Sequence, residues 1–236
     1  MDIRGDRECT ECGTHWSYYE TGSVDCPACG SIRSTGRGER RLHTDSPATL
    51  DLTPVRRDID DAPIDELLER AADTCRTYVR RRGFVSGGSL QALDDAYVGA
   101  LELRYGAHLA TPKRTLTEDE HLYLLALLRS VDDGSRPPSA DVPRSLAAAR
   151  GLAVARAVRD YRRDLREWID GRDVDDDVRT FLGLLGDHVT RFEQLDGDVE
   201  PETAETLLVA TRTLSSVLRG EDESLAAVET HLDRLQ

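Results

Sequence analysis

Cys9-Thr-Glu-Cys12-Gly13 and Cys26-Pro-Ala-Cys29-Gly30 stand near the start of the chain, with thirteen residues between Cys12 and Cys26. Two Cys-x-x-Cys pairs at this separation supply four thiolates to one tetrahedral ion, and zinc is the usual occupant of such a closed site. Each pair is short enough for both sulfurs to face the same metal. Gly13 and Gly30 suit the tight turns that bring backbone N–H groups toward sulfur. The expected cofactor is therefore one structural Zn2+ held by Cys9, Cys12, Cys26 and Cys29. Two disulfides are the competing reading. A catalytic zinc is disfavoured, because four thiolates leave no coordination position for water.

Working outward from the pairs, His15-Trp16-Ser17-Tyr18-Tyr19 has strand propensity, Thr21-Gly22-Ser23 can reverse the chain, and Ser31–Ser34 is expected as a third short strand. His15 is expected at the surface rather than on the metal. A β unit this small has almost no core, so the metal must supply much of its folding free energy, on the order of 10 kcal/mol for structural zinc sites generally. Arg33, Arg37, Arg40 and Arg41 follow the second pair and, with Trp16 and Tyr18, form the expected macromolecule-contact set. Residues 1–41 hold six arginines and seven acidic residues, so this surface carries no net basic charge. A protein contact is the first expectation and direct nucleic-acid contact the alternative.

Residues 9–30 resemble the zinc ribbon at the N-terminus of transcription factor B proteins and in RNA polymerase subunits. The four cysteines correspond to the zinc ligands of that family. The resemblance covers the first 35 or so residues and implies a ribbon that works by contact with other macromolecules. A ribbon followed by acidic helices also resembles uncharacterised haloarchaeal zinc-ribbon proteins. Transcription factor B itself is not implied, since no pair of cyclin-like repeats follows.

The remainder reads as helices. Residues 36–61 lack a sustained helical period and are expected as an extended connector, with Leu50–Thr53 laid against the helices between Pro47 and Pro54. Helices are expected from Pro63 to about Tyr78 or beyond, over about 89–108, after the Thr117–Glu120 capping signal, over 144–170, and from near Val174, Pro201 and Glu221. The expected organisation is a ribbon at 1–35, the connector at 36–61 and an acidic helical domain at 62–236. The fold class is mainly α: a small N-terminal β zinc ribbon followed by an irregular six- or seven-helix bundle.

Among the 236 residues are 45 acidic residues and 31 basic ones, of which Lys113 is the sole lysine, and the net charge is −14. Near absence of lysine with excess carboxylate resembles the composition of salt-loving archaea, whose cytoplasmic ions screen carboxylate repulsion. Residues 1–12 are charged and polar and no apolar run is long enough to span a bilayer, so a cytoplasmic protein with no membrane partner is expected. Cys75, alone in a helical pattern, reads as a small buried hydrophobe. Asp132-Asp133 and Asp175-Asp176-Asp177 read as solvated charge runs. Arg80-Arg81-Arg82 reads either as an anion contact or as a salt-bridged helix end. No phosphate loop, activated serine or zinc-hydrolase motif is present, so a non-enzymatic adaptor or regulator is the leading expectation and an enzyme with a pocket among the helices the least favoured.

Overall fold

The computed structural model describes residues 1–108 and 114–235. Its N-terminal part is a set of short strands, β1 (Asp2–Ile3), β2 (Asp6–Cys9), β3 (His15–Ser17), β4 (Ser34–Arg37) and β5 (Arg41–Leu42), with one helical turn, α1 (Tyr18–Thr21), after β3. β2 is the centre of a three-stranded antiparallel sheet in the order β3-β2-β4, and β1 pairs separately with β5. Three details differ from the expectation. The central strand is the charged segment Asp6–Cys9, which carries no hydrophobic alternation. Tyr18 and Tyr19 leave the strand for α1, because the Tyr18 N–H is held by the Gly5 carbonyl at 2.7 Å. The third strand starts at Ser34 rather than Ser31, because Ser31 and Arg33 spend their carbonyls on the Cys26 and Thr10 N–H groups.

The body that follows is helical: a short turn α2 (Thr53–Arg56), then α3 (Ile64–Arg81), α4 (Asp95–Ala107), α5 (Glu118–Ser130), α6 (Ala147–Ile169), α7 (Asp176–Gln194), α8 (Pro201–Leu218) and α9 (Leu225–Asp233). Between α3 and α4 a hairpin, β6 (Val85–Ser86) and β7 (Ser89–Leu90), turns through Gly87-Gly88. The fold is thus mainly α, a small N-terminal β region ahead of a bundle of seven helices of nine residues or more among the described residues. α6 is the axis, packing against α4, α7 and α8, with Ala153, Val154, Ala157, Val158, Tyr161 and Leu165 fully buried. Leu50 and Leu52, from the stretch before α2, join the same core.

Side-chain caps mark the starts of α4, α5, α7 and α9. α4 starts at Asp95 instead of 89, because the Asp94 carboxylate accepts the Tyr97 N–H at 2.8 Å. Leu90 therefore lies in β7 and Leu93 in the link. α6 starts at Ala147, behind a 3-10 turn over Arg144–Leu146. α9 starts at Leu225 rather than near Glu221, on the Ser224 cap. The Thr117/Glu120 capping box forms with both of its reciprocal bonds.

Charge inside the bundle ties the helices together. Arg136, in the link before α6, meets Asp95 at 2.7 Å, Glu102 at 3.5 Å and Glu205 at 3.2 Å. Arg150 of α6 meets Glu205 at 2.9 Å and the Pro137 carbonyl at 2.9 Å, and the Tyr123 hydroxyl bonds both Glu102 and Arg150. Burial works against the Arg136 charge, yet Glu205 and Glu102 outweigh it and raise its pKa. Asp132 corrects the reading of its run as solvated. Its carboxylate accepts the Leu52 N–H at 2.9 Å and pairs with Arg56, while Asp133 is exposed. Asp175 caps α7, with Asp176 and Asp177 exposed in its first turn.

Candidate metal centre

The metal site is built from two copies of one local design. Cys9–Thr14 and Cys26–Ser31 both read Cys-x-x-Cys-Gly-(Thr/Ser). In the first, the Gly13 N–H reaches the Cys9 carbonyl at 3.0 Å and the Cys9 N–H reaches the Thr14 carbonyl at 2.9 Å. In the second, Gly30 to Cys26 and Cys26 to Ser31 repeat both bonds at 2.9 Å. Gly13 and Gly30 sit at φ 75° and 72°, the left-handed region that closes each loop and that a side chain would strain. The first cysteine of each copy is buried and the second exposed.

The four sulfurs lie within 4.8 Å of one another. Cys9 and Cys29 are 3.6 Å apart, as are Cys12 and Cys26. A tetrahedral site with Zn–S bonds of about 2.3 Å has sulfur–sulfur edges of about 3.8 Å, so the donor set fits zinc closely. The same spacing removes the disulfide reading, since a disulfide needs sulfurs about 2 Å apart, and all five cysteines are free. The set is a structural zinc site of four thiolates. It offers no position for a reacting water.

The protein pre-sets the charge of these ligands. The Thr14 hydroxyl, 3.2 Å from the Cys12 sulfur, and then the Thr14 N–H hold that thiol at about 6. Burial opposes ionisation of Cys26, but the N–H groups of Cys29 and Ala28 prevail and lower it. The Ser31 N–H favours a Cys29 thiolate, yet Cys12, burial, Cys26 and Cys9 together push this thiol up to about 12. Four sulfurs this close cannot all carry charge without a cation among them. Thr14 and Ser31 are site residues that the reading of the cysteines alone passes over. The signal that finds them is the sixth position of the repeated hexapeptide.

Around the centre, the expected contact residues divide. Trp16 is half-buried and donates its indole N–H to the Ser23 carbonyl at 3.0 Å. Tyr18 is half-buried, edge-on to His43 at 5.8 Å. Arg33 is exposed and pairs with Glu11 at 3.0 Å; Arg37 pairs with Glu8 at 2.5 Å. Arg40 and Arg41 are exposed and line a cleft with Trp168 and Arg172 at the end of α6. His15 is exposed. Beside the second loop, Val24 is 43% and Ile32 75% exposed.

The β region is fastened to the body through its base. Tyr19 donates to the Ile3 carbonyl at 2.8 Å and lies against His43 and Gly87. Thr44 donates to Asp164 of α6 at 2.6 Å, and its N–H meets the Val85 carbonyl at 2.9 Å. Asp45 accepts from Arg82 and from the Gly83 N–H, both at 2.9 Å. His43 is buried, and desolvation lowers its pKa.

A four-thiolate zinc site in a small β region ahead of a helical bundle defines the class as a helical protein with a zinc-ribbon-like N-terminal motif. The chain belongs to the family of unknown function DUF7117, whose profile matches residues 1–235. Comparison with curated proteins and with solved structures found no match. Among the described residues, no helix is long and apolar enough to cross a membrane.

Proposed function

We propose that the protein is a non-enzymatic adaptor or regulator whose zinc ribbon docks on a protein partner while the helical body carries the ribbon. The observation that supports this is the exposure of Ile32 and Val24 beside a metal site already closed by four sulfurs. Residues that a small β unit needs for its own stability turn inward here, as Trp16, Tyr18 and Tyr19 do. Ile32 has no such role, and an exposed aliphatic side chain on a metal-rigidified loop loses little freedom when a partner covers it. The resemblance to transcription factor B-type ribbons makes transcription machinery the first class of partner to test, in a reducing cytoplasm where the thiolates stay metal-bound.

Direct nucleic-acid binding is the weaker reading. Arg33 and Arg37 are committed to Glu11 and Glu8, and Tyr18 is packed on His43. Affinity capture of the full-length protein from native extract of its source organism tests the proposal. The expected result is one protein recovered in near-equal amount with the wild type and lost with Ile32→Asp, zinc content being unchanged. Retention of that protein by Ile32→Asp, or recovery of nucleic acid in its place, contradicts it.

A further inference from the structure

Away from the metal, one face of α3, one of α4 and one of α6 meet at a cleft of about 450 Å³. Six of its lining residues are arginines, namely Arg76 and Arg80 of α3, Arg82 just beyond it, Arg104 of α4, and Arg156 and Arg163 of α6. Helical spacing puts them together: 76 and 80 are one turn apart, and 156, 160 and 163 run down a single side of α6. Such a concentration is unexpected in a chain of net charge −14.

Asp160 is the one acidic residue lining the cleft, and its charge is already engaged. It accepts from Tyr97 at 3.0 Å and from Arg156 at 2.7 Å, and faces Arg163 at 3.6 Å. Other carboxylates hold part of the set from outside: Asp45 and Asp94 take Arg82, Asp73 takes Arg76, and Asp164 takes Arg163. Arg80 and Arg104 are different, since among the described residues neither guanidinium has a hydrogen bond or an ion pair. Arg104 is moreover half-buried, on the same wall as Tyr105, whose hydroxyl likewise makes no hydrogen bond. An anion in the cleft gives these two guanidinium groups the charge-assisted hydrogen bonds that the protein itself does not supply.

We propose that this cleft binds a small phosphorylated molecule, its phosphate taken by Arg80 and Arg104 and flanked by the arginines that Asp160 orients. The planar donor fork of arginine matches phosphate oxygens in pairs, and several converging forks favour an anion carrying more than one charge. The volume lies within the range of small-molecule sites, roughly 300–1,000 Å³, and suits a ligand of nucleotide size rather than a polymer.

Isothermal titration of the full-length zinc-loaded protein with pyrophosphate, at fixed ionic strength and with sulfate as comparator, tests this. One saturable site is expected, with affinity for pyrophosphate above that for sulfate and weakened about tenfold or more by Arg104→Gln and by Arg80→Gln. Arg179→Gln, on the exposed side of α7, should leave it unchanged. Arg80 is exposed, so its substitution tests the site even if Arg104→Gln lowers the melting temperature. Absence of saturable binding, equal affinity for sulfate, or binding indifferent to Arg80→Gln overturns the proposal.

Discussion

Thr14 and Ser31 show how much of the metal centre is decided one residue at a time. Their carbonyls fix the N–H of the first cysteine of each loop, and the Thr14 hydroxyl meets the Cys12 sulfur. Replacing one ligand, as in Cys26→Ser, should therefore release zinc and unfold the ribbon while α3–α9 keep their helical signal. Cys75→Ala should leave one zinc per chain, because Cys75 is fully buried in the helical core with its thiol pushed up to about 12 by desolvation. Zinc content by mass spectrometry and far-UV circular dichroism on both variants check the pair of outcomes. Equal zinc loss from both would contradict the assignment. The four ligands were legible because spacing alone restricts which sulfurs can share an ion. The fate of Arg80-Arg81-Arg82 was not: Arg82 meets Asp45, Arg81 donates to the Pro47 carbonyl at 3.1 Å, and Arg80 faces the cleft. Those partners lie more than thirty residues away for Arg81 and Arg82, beyond any local pattern.

At the scale of elements, caps and buried ion pairs set boundaries and packing. Glu120 closes the α5 capping box while fully buried. Burial opposes its charge, but the Ser145 hydroxyl, the Thr117 N–H and Arg114 prevail and hold the carboxyl at about 2. A folded pKa below the unfolded one stabilises above the unfolded value, near 4.5, and that contribution is lost as pH falls toward about 2. Glu120→Gln should thus destabilise the protein at neutral pH, and the difference from wild type should shrink across this window in urea melts. A difference independent of pH would show that the carboxylate charge is not the cause. Arg150→Leu should cost about 3 kcal/mol in the same melts, since Glu102 and Glu205 would each lose a buried partner. Helix existence was readable from the three- and four-residue apolar steps, and the Thr117/Glu120 box marked one start to the residue. Other starts shifted because Asp94 and Ser224, rather than the nearest leucine or acidic run, supply the cap. Strand β2 carries no local sequence signal, because its pairing comes from two neighbouring strands and a metal loop and not from hydrophobic alternation.

Taken whole, the molecule is a zinc-closed β unit seated by Tyr19, His43 and Thr44 on a helical body. Net charge of −14 spread over this surface is self-repelling in dilute solution. The melting temperature should rise as salt is raised from millimolar to molar, and a flat response in thermal scans would defeat the reading of the composition as salt-adapted. The four cysteines close the zinc site of the β region and leave no position for a reacting water, and X-ray absorption at the zinc edge of the purified full-length protein reads that coordination. One zinc per chain is expected, with four sulfurs at about 2.3 Å and no lighter neighbour. A shell containing nitrogen or oxygen in place of a sulfur, or protein purified reduced and free of zinc, would contradict it.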